Sequence, residues 1–221
     1  MKLLINALIK FTCGLLLVGL LIFLPAGTLQ YTYGWLLIGL LFVPMLIAGF
    51  VMFFKTPDFL AKRLDVKEKQ ATQKGVVAFS GLMFVVGFVV AGLDFRFGWS
   101  QMPLPVTITA SVLFLASYAL YAEVMRENAY LSRTIKVEEG QKVVDTGLYG
   151  IVRHPMYLAT IVLFLMMPLV LGSWYALIVF AFYPAIIIVR LKDEEDLLTR
   201  ELPGYVEYKR KVKYRIIPFV W

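Results

Sequence analysis

The chain has 221 residues, of which 60% are hydrophobic and 17% charged, with a formal net charge of +7 and a mean hydropathy of +0.78. Those values exclude an ordinary soluble globular domain and place the chain among integral membrane proteins. A single cysteine, Cys13, and a single histidine, His154, exclude an intramolecular disulfide; they also leave any zinc or iron centre to carboxylates almost alone, so no metal is expected.

A bilayer core of about 30 Å takes about 20 helical residues to cross. Residues 5–26, 33–54, 76–93 and 103–122 are apolar over that length. The first resembles a signal peptide, but its apolar part is long and a second span follows at once, so it reads as a retained helix. Residues 55–74, "KTPDFLAKRLDVKEKQATQK", read as an amphipathic surface helix. Residues 156–189 are too many for one span and are interrupted at Gly172-Ser173. They predict a tight helical hairpin, kinked at Pro168 and Pro184, with each arm slightly short for a full crossing. The fold class is therefore all-α: a polytopic transmembrane helical bundle with a C-terminal helical hairpin. Residues 1–125 hold about four N-terminal spans, and 126–221 hold an inner segment, the hairpin and a tail.

Basic residues set orientation. With the N-terminus cytoplasmic and every span crossing, all 22 Lys and Arg except Arg96 fall on or beside the cytoplasmic face. Both termini and the functional chemistry are expected there, because the outer loops are short and nearly uncharged. The two inner segments flank the hairpin, so its closure at Gly172 predicts that Arg153-His154-Pro155 and Arg190 to Glu195 are spatial neighbours.

Pro155 suits the first turn of a helix, with His154 at the cap. The helix's positive end then faces the cytoplasmic lip and can seat a carboxylate or phosphate; the plainer alternative is an interfacial arginine and histidine before a helix start. Arg190 and Glu194 are four apart and share a helical face. Arg190 follows four apolar residues, a depth at which an ionisable group needs a partner or a purpose. The tail mixes bases with Tyr205, Tyr208, Tyr214, Phe219 and Trp221. Beside a membrane this pattern reads as interfacial anchoring and attraction to anionic lipids, and no nucleic acid is expected.

Together, G-x-Y-x-x-x-R-H-P-x-Y at 147–157, the hairpin, R-x-x-x-E-E-x-x-L at 190–198 and Y-x-x-Y at 205–208 resemble the isoprenylcysteine carboxyl methyltransferase family and its phospholipid methyltransferase relatives. The resemblance covers roughly Val143 to Pro218. It implies a membrane enzyme with a cytoplasmic pocket for S-adenosyl-L-methionine and a lipidic or isoprenoid acceptor entering from the bilayer. Carried over by motif, the donor contacts are Gln141, Lys142, Val143, Val144, Gly147, Tyr149, Arg153, His154, Pro155, Met156, Tyr157, Glu194 and Glu195. Arg190 matches the arginine associated with substrate, and Arg190 and Glu194 are the implied catalytic pair. Ala159 stands where the family often has glycine, and Leu202-Pro203-Gly204 where it has F-G.

A carboxylate acceptor, as in protein-S-isoprenylcysteine O-methylation, is ionised at neutral pH and needs only a cation to orient it. A phospholipid amine would first have to lose a proton, for which His154 and Glu195 are the candidates. An NADPH-dependent reductase of the sterol reductase type is a further alternative, since those enzymes resemble this family in their C-terminal helices. A non-enzymatic protein whose charges are all interfacial is another.

Overall fold

A computed structural model describes residues 2–64, 71–131, 135 and 137–221. Among them every regular element is a helix and there are no strands. Helices α1 (Lys2–Ala26), α2 (Thr32–Lys55), α4 (Ala71–Phe97) and α5 (Leu104–Glu127) are long and apolar enough to cross a membrane. So is the stretch Trp174–Glu201, which makes five candidate spans among the described residues. The large apolar side chains that cover their outer surfaces are exposed, Leu24 and Phe54 at 76% and 75% for example, as lipid-facing helices require. The protein is a multi-pass helical membrane protein. All four expected spans are present, each extended by a few residues. The expected surface helix over 55–74 is realised in part: α3 is Pro57–Leu64, residues 65–70 lie outside the described residues, and the rest belongs to α4.

The expected hairpin forms, but only its first arm is short. The return stretch, Trp174–Glu201, runs on for 28 residues and is long enough to cross, because the helix continues past the apolar residues into the charged segment. The first arm, α6 (Pro155–Val170), has 16 residues, about 24 Å at 1.5 Å each, short of a full crossing. Gly172 makes the turn at φ +75°, and a Cβ there would lie 3.0 Å from the Tyr33 ring. Ser173 caps the return arm, its Oγ accepting from Ala176 N at 3.0 Å. That arm is two helices, α7 (Trp174–Phe180) and α8 (Tyr183–Glu201). The expected kink at Pro184 is thus a break: proline has no N–H for the Phe180 carbonyl and its ring would clash with it, so α7 stops at Phe180. Pro168 stays inside α6, two residues before its end.

The helix turns gather at the end of the bundle opposite most of the basic residues. Asp94, 2% exposed, accepts there from Ser100 N and Oγ, each at 2.6 Å, and from Ser173 Oγ; Tyr31 donates to the Leu171 carbonyl. Midway along, Phe84, Phe88, Phe164, Phe180 and Tyr183 interlock. This rigid frame fixes α6 against α8, and so brings both ends of the hairpin to one place at the basic end.

Candidate functional site

The entry segment is built on α5. Its last residue, Glu127, accepts from Leu148 N at 2.9 Å through Oε2 and so caps the short 3-10 turn Gly147–Gly150. Gly147 has φ +53°, and a Cβ on it would lie 1.6 Å from Glu127 Oε1; only glycine lets the carboxylate approach. The turn presents Tyr149, whose hydroxyl accepts from Asn128 Nδ2 at 3.0 Å and whose carbonyl accepts from Tyr208 Oη at 2.7 Å.

Arg153 and His154, which follow, are held by the tail. Arg153 N donates to the Tyr214 carbonyl at 2.9 Å and His154 N to the Arg215 carbonyl at 2.8 Å. Arg153 Nη1 also donates to the carbonyls of Val212 and Lys213, at 2.7 and 2.9 Å. Glu195, 3% exposed, is the hub of this strap. Its Oε1 accepts from Arg153 Nε at 2.6 Å and lies 3.3 Å from His154 Nε2, while Oε2 accepts from Arg215 Nε at 3.0 Å. A buried carboxylate needs such partners, and two guanidiniums supply them. His154 caps α6 with its backbone, Pro155 occupies the first turn, and the imidazole stacks on Tyr157 at 5.5 Å between centroids.

One helical step from Glu195, Glu194 faces the other way. It accepts from Tyr157 Oη at 2.5 Å and lies 3.9 Å from His154 Nδ1. Beside it opens a cleft at the basic end of the hairpin. Of the residues expected at a site, Gln141 to Val144, Tyr149, Arg153, His154, Met156, Tyr157 and Glu194 line it. Gly147 and Pro155, also expected there, are not among the lining residues. Glu195 does not line the cleft and acts on it through Arg153 and His154.

Arg190 also stands outside the lining. Its Nη1 donates to Gln73 Oε1 at 3.0 Å, and Gln73 Nε2 donates to Asp193 Oδ2 at 2.8 Å. Gln73, on α4, is fully buried, so its amide bridges two charged residues of α8. Arg190 is also close enough to Tyr157 to act on its hydroxyl electrostatically, which links it to the cleft by one side chain.

The expectation that the tail aromatics anchor at the interface needs correction for Tyr205 and Tyr208. Both are buried, at 4% and 5% exposed, and both line the cleft. Burial pushes the hydroxyls of Tyr149, Tyr205 and Tyr208 well above the ordinary tyrosine range, so all three stay neutral. Leu198 and Leu202, with the rings of Tyr205 and Tyr208, add apolar surface to the lining; Asn128, Tyr130, Leu131 and Ile135 join it from the segment after α5. Sequence reasoning missed these four. Asn128 carried the only local signal, as a turn former directly after a helix.

Residues 107–200 match the isoprenylcysteine carboxyl methyltransferase (ICMT) family. The ICMT segment runs from α5 through the hairpin to the end of α8, and so contains both motifs and most of the cleft. The chain is also 33% identical over 91 residues to the Delta(14)-sterol reductase TM7SF2 of Mus musculus. That likeness covers 40% of this chain and 22% of the reductase.

Proposed function

We propose that the chain is a methyltransferase that binds S-adenosylmethionine in the cleft at the basic end, which faces the cytoplasm, and methylates a lipidic carboxylate reached from the bilayer. The observation that supports this reading best is the convergence of His154, Tyr157 and Glu194 on one cleft within the ICMT segment. The residues fit the donor: a carboxylate for an ammonium, a helix start for a carboxylate, aromatic faces for a sulfonium or adenine, and a buried tyrosine hydroxyl, that of Tyr205, with no hydrogen-bond partner among the described residues.

When bound, S-adenosylmethionine supplies an electrophilic methyl group on sulfur. The protein has to align the acceptor with that methyl and exclude water. Glu194, set by Tyr157, holds the ammonium end. The start of α6 at Pro155 faces the carboxylate end. Tyr149 and Tyr157 form walls, and Arg153, locked to Glu195, keeps the His154 backbone in register with the tail. Arg190, one turn deeper than Glu194 and braced by Gln73, orients the acceptor carboxylate, which is already ionised and needs no general base.

The experiment is methyl transfer from labelled donor by detergent-purified protein to a membrane lipid extract, with Arg190→Ala in parallel. Label in an isoprenoid carboxyl ester, lost in Arg190→Ala, is the expected result. Label in a phospholipid amine would replace the acceptor while leaving the donor. The likeness to the mouse sterol reductase favours a second reading, reduction by NADPH in the same cleft; binding of NADPH without S-adenosylmethionine would establish it.

A further inference from the structure

Helix α9 (Tyr205–Lys211) contributes two tyrosines to the cleft that differ in one respect. Tyr208 Oη donates to the Tyr149 carbonyl. Tyr205 Oη is buried and has no hydrogen-bond partner among the described residues. Folds rarely leave such a group unsatisfied, because it forfeits its hydrogen bonds to water and receives nothing in return. Nor can the ring turn away, since it is packed among Leu202, Val143 and Leu198 on a helix whose N-cap, Gly204, is fixed at φ +84°.

The charges around this hydroxyl indicate what it would meet. It lies in the field of Glu195, Glu194 and Arg153. Arg153 and Glu195 are engaged with each other and with the tail. Glu194 faces the cleft with Tyr157 as its hydrogen-bond donor and 26% of its side chain exposed. The site therefore combines a carboxylate and a neutral phenol oxygen, which suits a cationic N–H donor.

We propose that Tyr205 Oη accepts a hydrogen bond from the ammonium of a ligand's α-amino-acid end, beside the carboxylate of Glu194. This rests on the proposed function, since S-adenosylmethionine carries such a group, and it extends the binding site to α9, beyond the ICMT-matching residues.

The test compares wild type, Tyr205→Phe and Tyr208→Phe in detergent, measuring thermal stability and the affinities for S-adenosylmethionine and for methylthioadenosine, which lacks the amino-acid end. Tyr205→Phe should keep or raise Tm without ligand, weaken S-adenosylmethionine about tenfold or more, as befits a hydrogen bond to a charged group, and leave methylthioadenosine unchanged. Tyr208→Phe, which loses a satisfied bond, should lower Tm. Unchanged donor affinity in Tyr205→Phe would overturn the inference while the proposed function stands. Equal weakening of both ligands would overturn it too, by moving the contact to the nucleoside. A Tm loss in Tyr205→Phe as large as that of Tyr208→Phe would make the hydroxyl structural. Failure of the wild-type chain to bind the donor would overturn the proposed function itself, and this contact with it.

Discussion

Glu195→Gln removes one negative charge from the centre of the strap while keeping the side chain's shape. The Glu195 side chain is 4% exposed and that of its partner Arg153 6%, whereas the Arg215 side chain is 34% exposed. Taking one partner from a buried pair costs about 3–5 kcal/mol, because the other charge stays buried. The half-exposed pair with Arg215 is screened and contributes ~0–1 kcal/mol. Glutamine keeps one acceptor oxygen, but its NH₂ must then face a guanidinium. The expected loss is therefore about 3–5 kcal/mol for Glu195→Gln and at most ~1 kcal/mol for Arg215→Gln. Unfolding in mixed detergent and SDS micelles, followed by tryptophan fluorescence, measures both. A Glu195→Gln loss under ~1 kcal/mol, or an Arg215→Gln loss equal to it, would refute the assignment of Glu195 as the buried hub.

Gly147→Ala forces a left-handed residue and displaces Glu127 from the Leu148 amide; roughly 1–2 kcal/mol for the backbone and 1.5–3 kcal/mol for the charged hydrogen bond give a marked Tm loss, and an unchanged Tm would contradict the close approach. Gln73→Leu should lower turnover on the acceptor while donor affinity holds, because its amide braces Arg190 and does not line the cleft; a fall in donor affinity alone would count against that role. The Lys211 ammonium at 2.7 Å holds the Asp145 carboxyl below the usual range by hydrogen bond and charge. With a depressed folded value, the pair's contribution is present above the ordinary carboxylate range and lost as pH falls through the lowered value. Both groups are at the surface, so NMR titration rather than stability is the readout: Lys211→Ala should return Asp145 upward, and no change would refute the pairing.

The helices and the hairpin were legible in the sequence because length, apolarity and the Gly172-Ser173 break are local properties. The meeting of 153–155 with 190–195 followed from hairpin closure alone. Other features depend on contacts between distant segments. Glu194 and Glu195 are adjacent and chemically identical in sequence, and only the angle of α8 sends one to the cleft and the other into the strap. Tyr205 and Tyr208 sit in a basic, aromatic tail that reads as an interfacial anchor. Main-chain pairing of 153–154 with 214–215 turns that tail inward, and no side-chain pattern announces it. Gln73 lies in a segment read as a surface helix, and its burial comes from α8 packing over the start of α4.

The central claim is that the cleft of His154, Tyr157 and Glu194 holds a methyl donor. Calorimetric titration of the detergent-purified chain with S-adenosylmethionine, and separately with NADPH, tests it most directly. Saturable binding of S-adenosylmethionine, weakened about tenfold or more in His154→Ala and Glu194→Ala, is the predicted result. Binding of NADPH alone, or donor binding unchanged in both variants, would contradict it.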